Sequence, residues 1–153
     1  MSVHWITLIP EDPRFVPDEA KRERARERFA EIAPEAREIT ADVTDTIQFF
    51  HCGENFNGIS CPACASDIPL RWWHDCIHED YSKEAGYKLA MYSTPCCGFG
   101  CTMHDLAYDF PQGLGRFSLS AMNPYLLGSL DERYRAEFEA ILGTKLRVIY
   151  VHL

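Results

Sequence analysis

SLDERYRAEFEAILGTKLRVIYVHL, residues 129–153, is the stretch that decides the fold class. Ser129 and Glu132 fit an S-x-x-E capping box, which satisfies free N–H groups at a helix start. Tyr134, Phe138, Ile141 and Leu142 then recur at helical spacing and form one apolar stripe. Gly143 suits the left-handed residue that closes a helix. The last nine residues, KLRVIYVHL, are β-branched and aromatic, as a half-buried strand requires. The reading is helix, tight turn, strand.

Residues 27–43, ERFAEIAPEAREITADV, repeat that layout. Pro17 suits a first helical position, with Asp18 and Glu19 in the positive first turn. Ala25, Phe29, Ile32 and Ala33 share one face, and Pro34 stops the helix. In KRERARER (21–28) acids interleave with bases, so it reads as a solvated helix face and not as a nucleic-acid patch. HWITLI (4–9) is a first strand ended by Pro10, and residues 37–50 give one or two more. Two similar helix–strand units predict an α+β fold: an antiparallel or mixed sheet with helices on one face. Between them, residues 70–84 read as a helix with Trp73, Cys76 and Ile77 on one side, and residues 86–93 as a strand. Leu106, Tyr108 and Phe110 alternate as in a strand, whereas GRFSLSAMNP (115–124) fits helix or strand.

The chain has 153 residues, 46% hydrophobic and 25% charged, which suits one domain over 1–153. No apolar run is long enough to span a bilayer, and MSVHWITLIPEDPRF lacks a basic secretory n-region. A cytoplasmic protein is expected. The net charge of −8 repels phosphate backbones, which excludes general nucleic-acid binding and favours a basic protein partner.

Seven cysteines, an odd number in close clusters, argue for metal ligands or redox groups over a disulfide framework. They lie in an insertion of about residues 51–104, apart from the helix–strand units. Cys61-Pro-Ala-Cys64 lets two thiolates converge on one ion from a tight turn. The second cluster is Pro95-Cys96-Cys97-Gly98-Phe99-Gly100-Cys101. Two ligands from each give a closed Cys₄ zinc site, structural because no position stays open. Spacing alone leans to Cys97 and Cys101 in the second cluster, and His104 or Cys52 could stand in for a thiolate there.

FHCGENFNGISCPAC (50–64), TPCCG (94–98), HDLAYDFPQGLGRFSLSAMNP (104–124) and RVIYVHL (147–153) together resemble a group of small uncharacterised bacterial proteins with a CPxC…PCCG zinc-knuckle pattern. That pattern has LIP near its start, then CGxNF, CPxCG, PCCG and NDLxYxWPxGFxRF. The resemblance spans most of the chain. It implies Cys61, Cys64, Cys96 and Cys97 as the ligands of a zinc-ribbon-like knuckle, and it implies no activity. Two departures stand out: Ala65 follows Cys64 where glycine is expected, and Cys101 and His104 fall where the pattern demands no ligand.

Other constellations are weaker. Redox chemistry at the C-x-x-C pair needs a strand before it and a helix at it, and a Gly/Asn-rich loop precedes it instead. His74, His78 and Glu79 lie at helical spacing but in the order H-x-x-x-H-E, as on a solvated face. The H-x-E and P-C-x-x-C elements of zinc deaminases are missing around His51 and Glu54. No Ser-His-Asp order, phosphate-cradling glycine loop or nucleophile elbow occurs. Of Trp72 and Trp73, at most one can face a core. Asn55, Asn57, Asp105, Tyr108 and Asp109 are polar loop residues that suit either a binding surface or local turns. The expected function is a non-enzymatic, zinc-stabilised protein-interaction domain, an immunity protein against a bacterial toxin being one concrete form. The alternative is a small enzyme whose His51, Glu54, His104 and Asp105 converge in a cleft beside the zinc.

Overall fold

Two strands dense in buried residues, His4–Pro10 and Gly113–Met122, anchor the architecture. The computed structural model describes residues 2–153. In chain order the elements are β1 (His4–Pro10), α1 (Glu19–Ile32), β2 (Glu38–Phe50), β3 (Gly58–Ser60), α2 (Leu70–Asp80), β4 (Tyr81–Ser82), β5 (Gly86–Tyr87), β6 (Tyr92–Ser93), β7 (Gly100–Cys101), β8 (Ala107–Asp109), β9 (Gly113–Met122), α3 (Glu132–Leu142) and β10 (Leu146–His152). A mixed six-stranded sheet runs β10-β1-β9-β2-β5-β4, antiparallel except where β5 joins β2. Small two-stranded pairs, β3–β8 and β6–β7, complete the insertion. The expected α+β class is what forms.

One sheet face is covered by α1 and α3. Ile6 and Leu8 of β1, Phe117, Leu119 and Ala121 of β9, and Leu146 of β10 meet Ala25, Phe29, Phe138 and Leu142 of the helices. Phe29 and Phe138 pack ring against ring at 5.2 Å, joining the two helices. The second face serves a different core. A bulge in β2 makes the switch: Val43 pairs with Phe117, yet Gln48 pairs with Gly115. Three extra residues invert the alternation. Ile39 and Ala41 therefore face the helical core, whereas Ile47 and Phe49 face the insertion with Leu114. Trp73, Cys76, Met103 and Leu106 fill that second core.

Several expectations shift by a few residues for local reasons. Asp131, not Ser129, caps α3, its carboxylate accepting from Arg133 N at 2.9 Å. Asp18 is likewise the cap of α1, so Pro17 sits outside the helix. The helix expected over 70–84 ends at Asp80, because Tyr81 and Ser82 turn extended to pair with β5. Residues 86–93 are not one strand: Leu89 takes a left-handed φ of 58° and the segment splits into β5 and β6. Phe110 is also left-handed (φ 62°), which stops β8 at Asp109. The ambiguous 115–124 segment is strand as far as Met122, in the central β9, and then leaves the sheet.

Candidate metal centre

Each cysteine pair sits on a tight turn, and the two turns have the same hydrogen bonds. In the first, Ala65 N donates to Cys61 O (2.9 Å) and Cys61 N to Ser66 O (2.9 Å). In the second, Gly98 N donates to Thr94 O (2.9 Å) and Thr94 N to Phe99 O (2.9 Å). The offsets match residue for residue, so Thr94 stands where Cys61 stands and Cys97 where Cys64 stands. Ala65 and Gly98 are the matching left-handed residues, at φ 64° and 74°. Cys96 occupies the third position of its turn, which is Ala63 in the first.

These turns bring four sulfurs together. The Sγ atoms of Cys61, Cys64, Cys96 and Cys97 all lie within 4.8 Å of one another, with Cys61–Cys97 at 3.7 Å and Cys64–Cys96 at 3.4 Å. Cys61 is buried and the other three face solvent. Four nearby thiols with no disulfide among them can hold one metal ion. No other group of three or more such ligands occurs among the described residues.

No family model, curated protein or solved structure matches the chain. The site is therefore read from its own chemistry. Burial works to raise the Cys61 thiol, but N–H donors of Cys64 and Ala63, with the Thr94 hydroxyl and the Cys96 thiol, bring it down to about 6. The Ser66 hydroxyl and backbone lower Cys64 as well. Burial pushes Cys96 up to about 11, and its thiol neighbours add to the rise. Like charges at this range cannot all ionise unaided, so a bound cation is what would let the remaining thiols lose their protons.

The other cysteines stay apart. Cys101 is buried in β7 and burial pushes its thiol up to about 11, while Cys76 sits on the inner side of α2. Cys52 is fully buried and its thiol donates to Gln112 Oε1 at 3.4 Å. His104 is also elsewhere, 2% exposed, its Nδ1 accepting from Leu114 N (2.9 Å) and its Nε2 lying 2.8 Å from Glu11 O. Burial lowers its pKa, and Arg147 lowers it further.

The four residues of the enzyme alternative do not gather. His51 accepts from Gly53 N, Glu54 lies near His152, and Asp105 receives Thr102 N and its hydroxyl. None of them lines the cleft beside Trp5 and Tyr150 or the one beside Arg24 and Glu137. His74 and His78 are exposed on α2. Trp73 is buried and donates to Tyr108 Oη at 2.9 Å, and Trp72 packs half-buried beside it. Asn57 donates to Asp109 across β3 and β8, and Asn55 to Tyr150 O.

Sequence reasoning missed Thr94. It is 3% exposed, and its hydroxyl accepts from Phe99 N (3.0 Å) while lying 3.6 Å from Cys97 Sγ and 3.7 Å from Cys61 Sγ. Aligning C-P-A-C-A with T-P-C-C-G would have exposed the equivalence.

Proposed function

We propose that this chain is a zinc-stabilised protein-interaction domain whose metal is structural and whose partner is a basic protein. The observation that carries this reading is the four-thiol cluster that ties two separate turns together at the surface. Zinc–sulfur bonds of about 2.3 Å in a tetrahedron place sulfurs about 3.8 Å apart, close to the separations found. Four thiolates leave the ion no position for water or substrate, so its role is to fix the turns. Iron in a four-thiolate site is the chemical competitor.

Fixed loops on a rigid scaffold are common binding surfaces. Beside the second turn, Met91 and Phe99 are exposed apolar side chains, 66% and 43% accessible, of a kind that suits an interface. With a net charge of −8, long-range attraction favours a basic partner and weakens with salt. The direct test couples two measurements. Elemental analysis of protein purified under reducing conditions should give about one zinc per chain. Partner capture should then fall on zinc removal and in high salt; a partner held fully by zinc-stripped protein contradicts the reading.

A further inference from the structure

A cleft of about 860 Å³ opens where the ends of β1 and β10 meet the β9–α3 loop. Its walls are apolar: Trp5, Ile6, Leu126, Tyr150 and Val151, with Phe110 closing it from the insertion. No Asp, Glu, Lys or Arg lines it, although such residues make up 25% of the chain. A random patch of this size would carry several charges. Its polar side chains are the His4 imidazole, the amides of Asn55 and Asn123, and the hydroxyls of Ser129, Tyr125 and Tyr150. Asn55 Nδ2 is tied to Tyr150 O and Asn123 Oδ1 to His4 N, which leaves the other amide atom of each side chain without a protein partner.

The backbone around the cleft supplies an independent sign. Six non-glycine residues among those described are left-handed, and four of them line this one cleft: Phe110 (φ 62°), Asn123 (47°), Tyr125 (56°) and Leu127 (53°). Bulky side chains avoid that region unless the surroundings hold them there, and such strain gathers at ligand sites. Here it turns Tyr125 and Leu127 outward, 69% and 103% exposed, at the mouth of an apolar hollow. Exposed in the free protein, they contribute no burial to its folding, so folding alone does not account for them.

We infer that this cleft is a binding site for an uncharged small molecule with an apolar, ring-containing body and one hydrogen-bonding end. Its volume falls in the range of about 300–1,000 Å³ typical of small-molecule sites. A charged ligand would lose its hydration and meet no counter-charge. The aromatic rings of Trp5, Phe110, Tyr125 and Tyr150 offer faces and edges for ring stacking. The free amide atoms of Asn55 and Asn123 serve the polar end.

The site is independent of the zinc reading, and its test leaves that reading untouched. The probe is N-phenyl-1-naphthylamine, an uncharged apolar fluorophore, titrated into the full metal-loaded chain. Saturable fluorescence enhancement is expected. Leu127→Asp should weaken binding about tenfold or more, because it sets a charge at the mouth. Its thermal melting should not change: the side chain it replaces is fully exposed, and Asp tolerates a left-handed backbone better than Leu. Trp5→Phe keeps an aromatic wall and should retain binding. Non-saturable enhancement, or equal affinity in Leu127→Asp, overturns the proposal. So does a wild-type dimer in sedimentation that Leu127→Asp dissociates, since a second copy would then fill the cleft.

Discussion

At the residue scale, the two cysteine turns form an internal experiment. Both need a left-handed fifth residue, yet one has Ala65 and the other Gly98. A Cβ at Gly98 meets nothing within 4 Å, so Gly98→Ala is a purely conformational change. It should destabilise the metal-loaded protein by about 1 kcal/mol, read as a shift in denaturation midpoint. Ala65→Gly is the reverse change in an equivalent turn, so it should stabilise by a similar amount. Equal effects of the two changes would disprove the equivalence of the turns. Ligand identity is tested in the same frame. Cys61→Ser, Cys64→Ser, Cys96→Ser and Cys97→Ser should each lower bound zinc, whereas Cys52→Ala, Cys76→Ala and Cys101→Ala should retain it. Zinc kept in Cys96→Ser and lost in Cys101→Ser would reassign the fourth ligand.

At the element scale, what was legible in the sequence depended on how local its cause is. The helix–strand units were readable because stripes such as Phe138, Ile141 and Leu142 carry their own period, and β9 was left ambiguous because a central strand buried on both faces loses its alternation. The bulge in β2 had no visible signal: Thr44 Oγ1 donating to Arg116 O and Arg116 Nε donating to Thr44 O are tertiary events. His104 looked like a ligand and proves to be a clamp. Its ring joins the residue after β1 to the start of β9, and Arg147 of β10 donates to the carbonyls of His104 and Gln112. That ring must be neutral, with Nε2 donating to Glu11 O and Nδ1 accepting from Leu114 N. Protonation would place a second proton against the Leu114 N–H. Because burial and Arg147 hold the folded pKa below the ordinary His value of about 6.5, the clamp's stability is present above that pH and is lost as pH falls through it. Glu11, raised by burial but lowered more by Arg147, acts in the same sense in a more acidic window, below its ordinary value. Denaturation midpoints of wild type should therefore fall between about pH 7.5 and 5.5, and His104→Gln should flatten that slope. An unchanged slope in the variant would remove His104 from the account.

At the scale of the whole molecule, the sheet joins two cores, of which one reaches the cysteine turns and the other does not. The helical core, with Phe29, Phe117, Phe138 and Leu142, includes no cysteine. The core of the insertion includes Cys61 and lies directly beneath the two turns. Its elements are two- or three-residue strands and one 11-residue helix, too short to persist without packing. Asp80 adds an anchor from within, its carboxylate receiving Leu89 N, Ala90 N and the Tyr92 hydroxyl on the segment that leads to the second turn. Loss of the metal should therefore not unfold the chain at once. Once the ion leaves, the thiols take up protons and no longer tie the two turns together, so the turns separate first. Chelation should abolish hydrogen-exchange protection over residues 58–109 while amides of β1, β9 and β10 keep theirs, because the sheet's other face remains sealed by α1 and α3. The order bears on the proposed function, in which a binding face that opens before the scaffold would make partner affinity depend on zinc without making solubility depend on it. Uniform loss of protection across both regions at the same chelator concentration would show a single cooperative unit and remove the basis for separating scaffold from binding face.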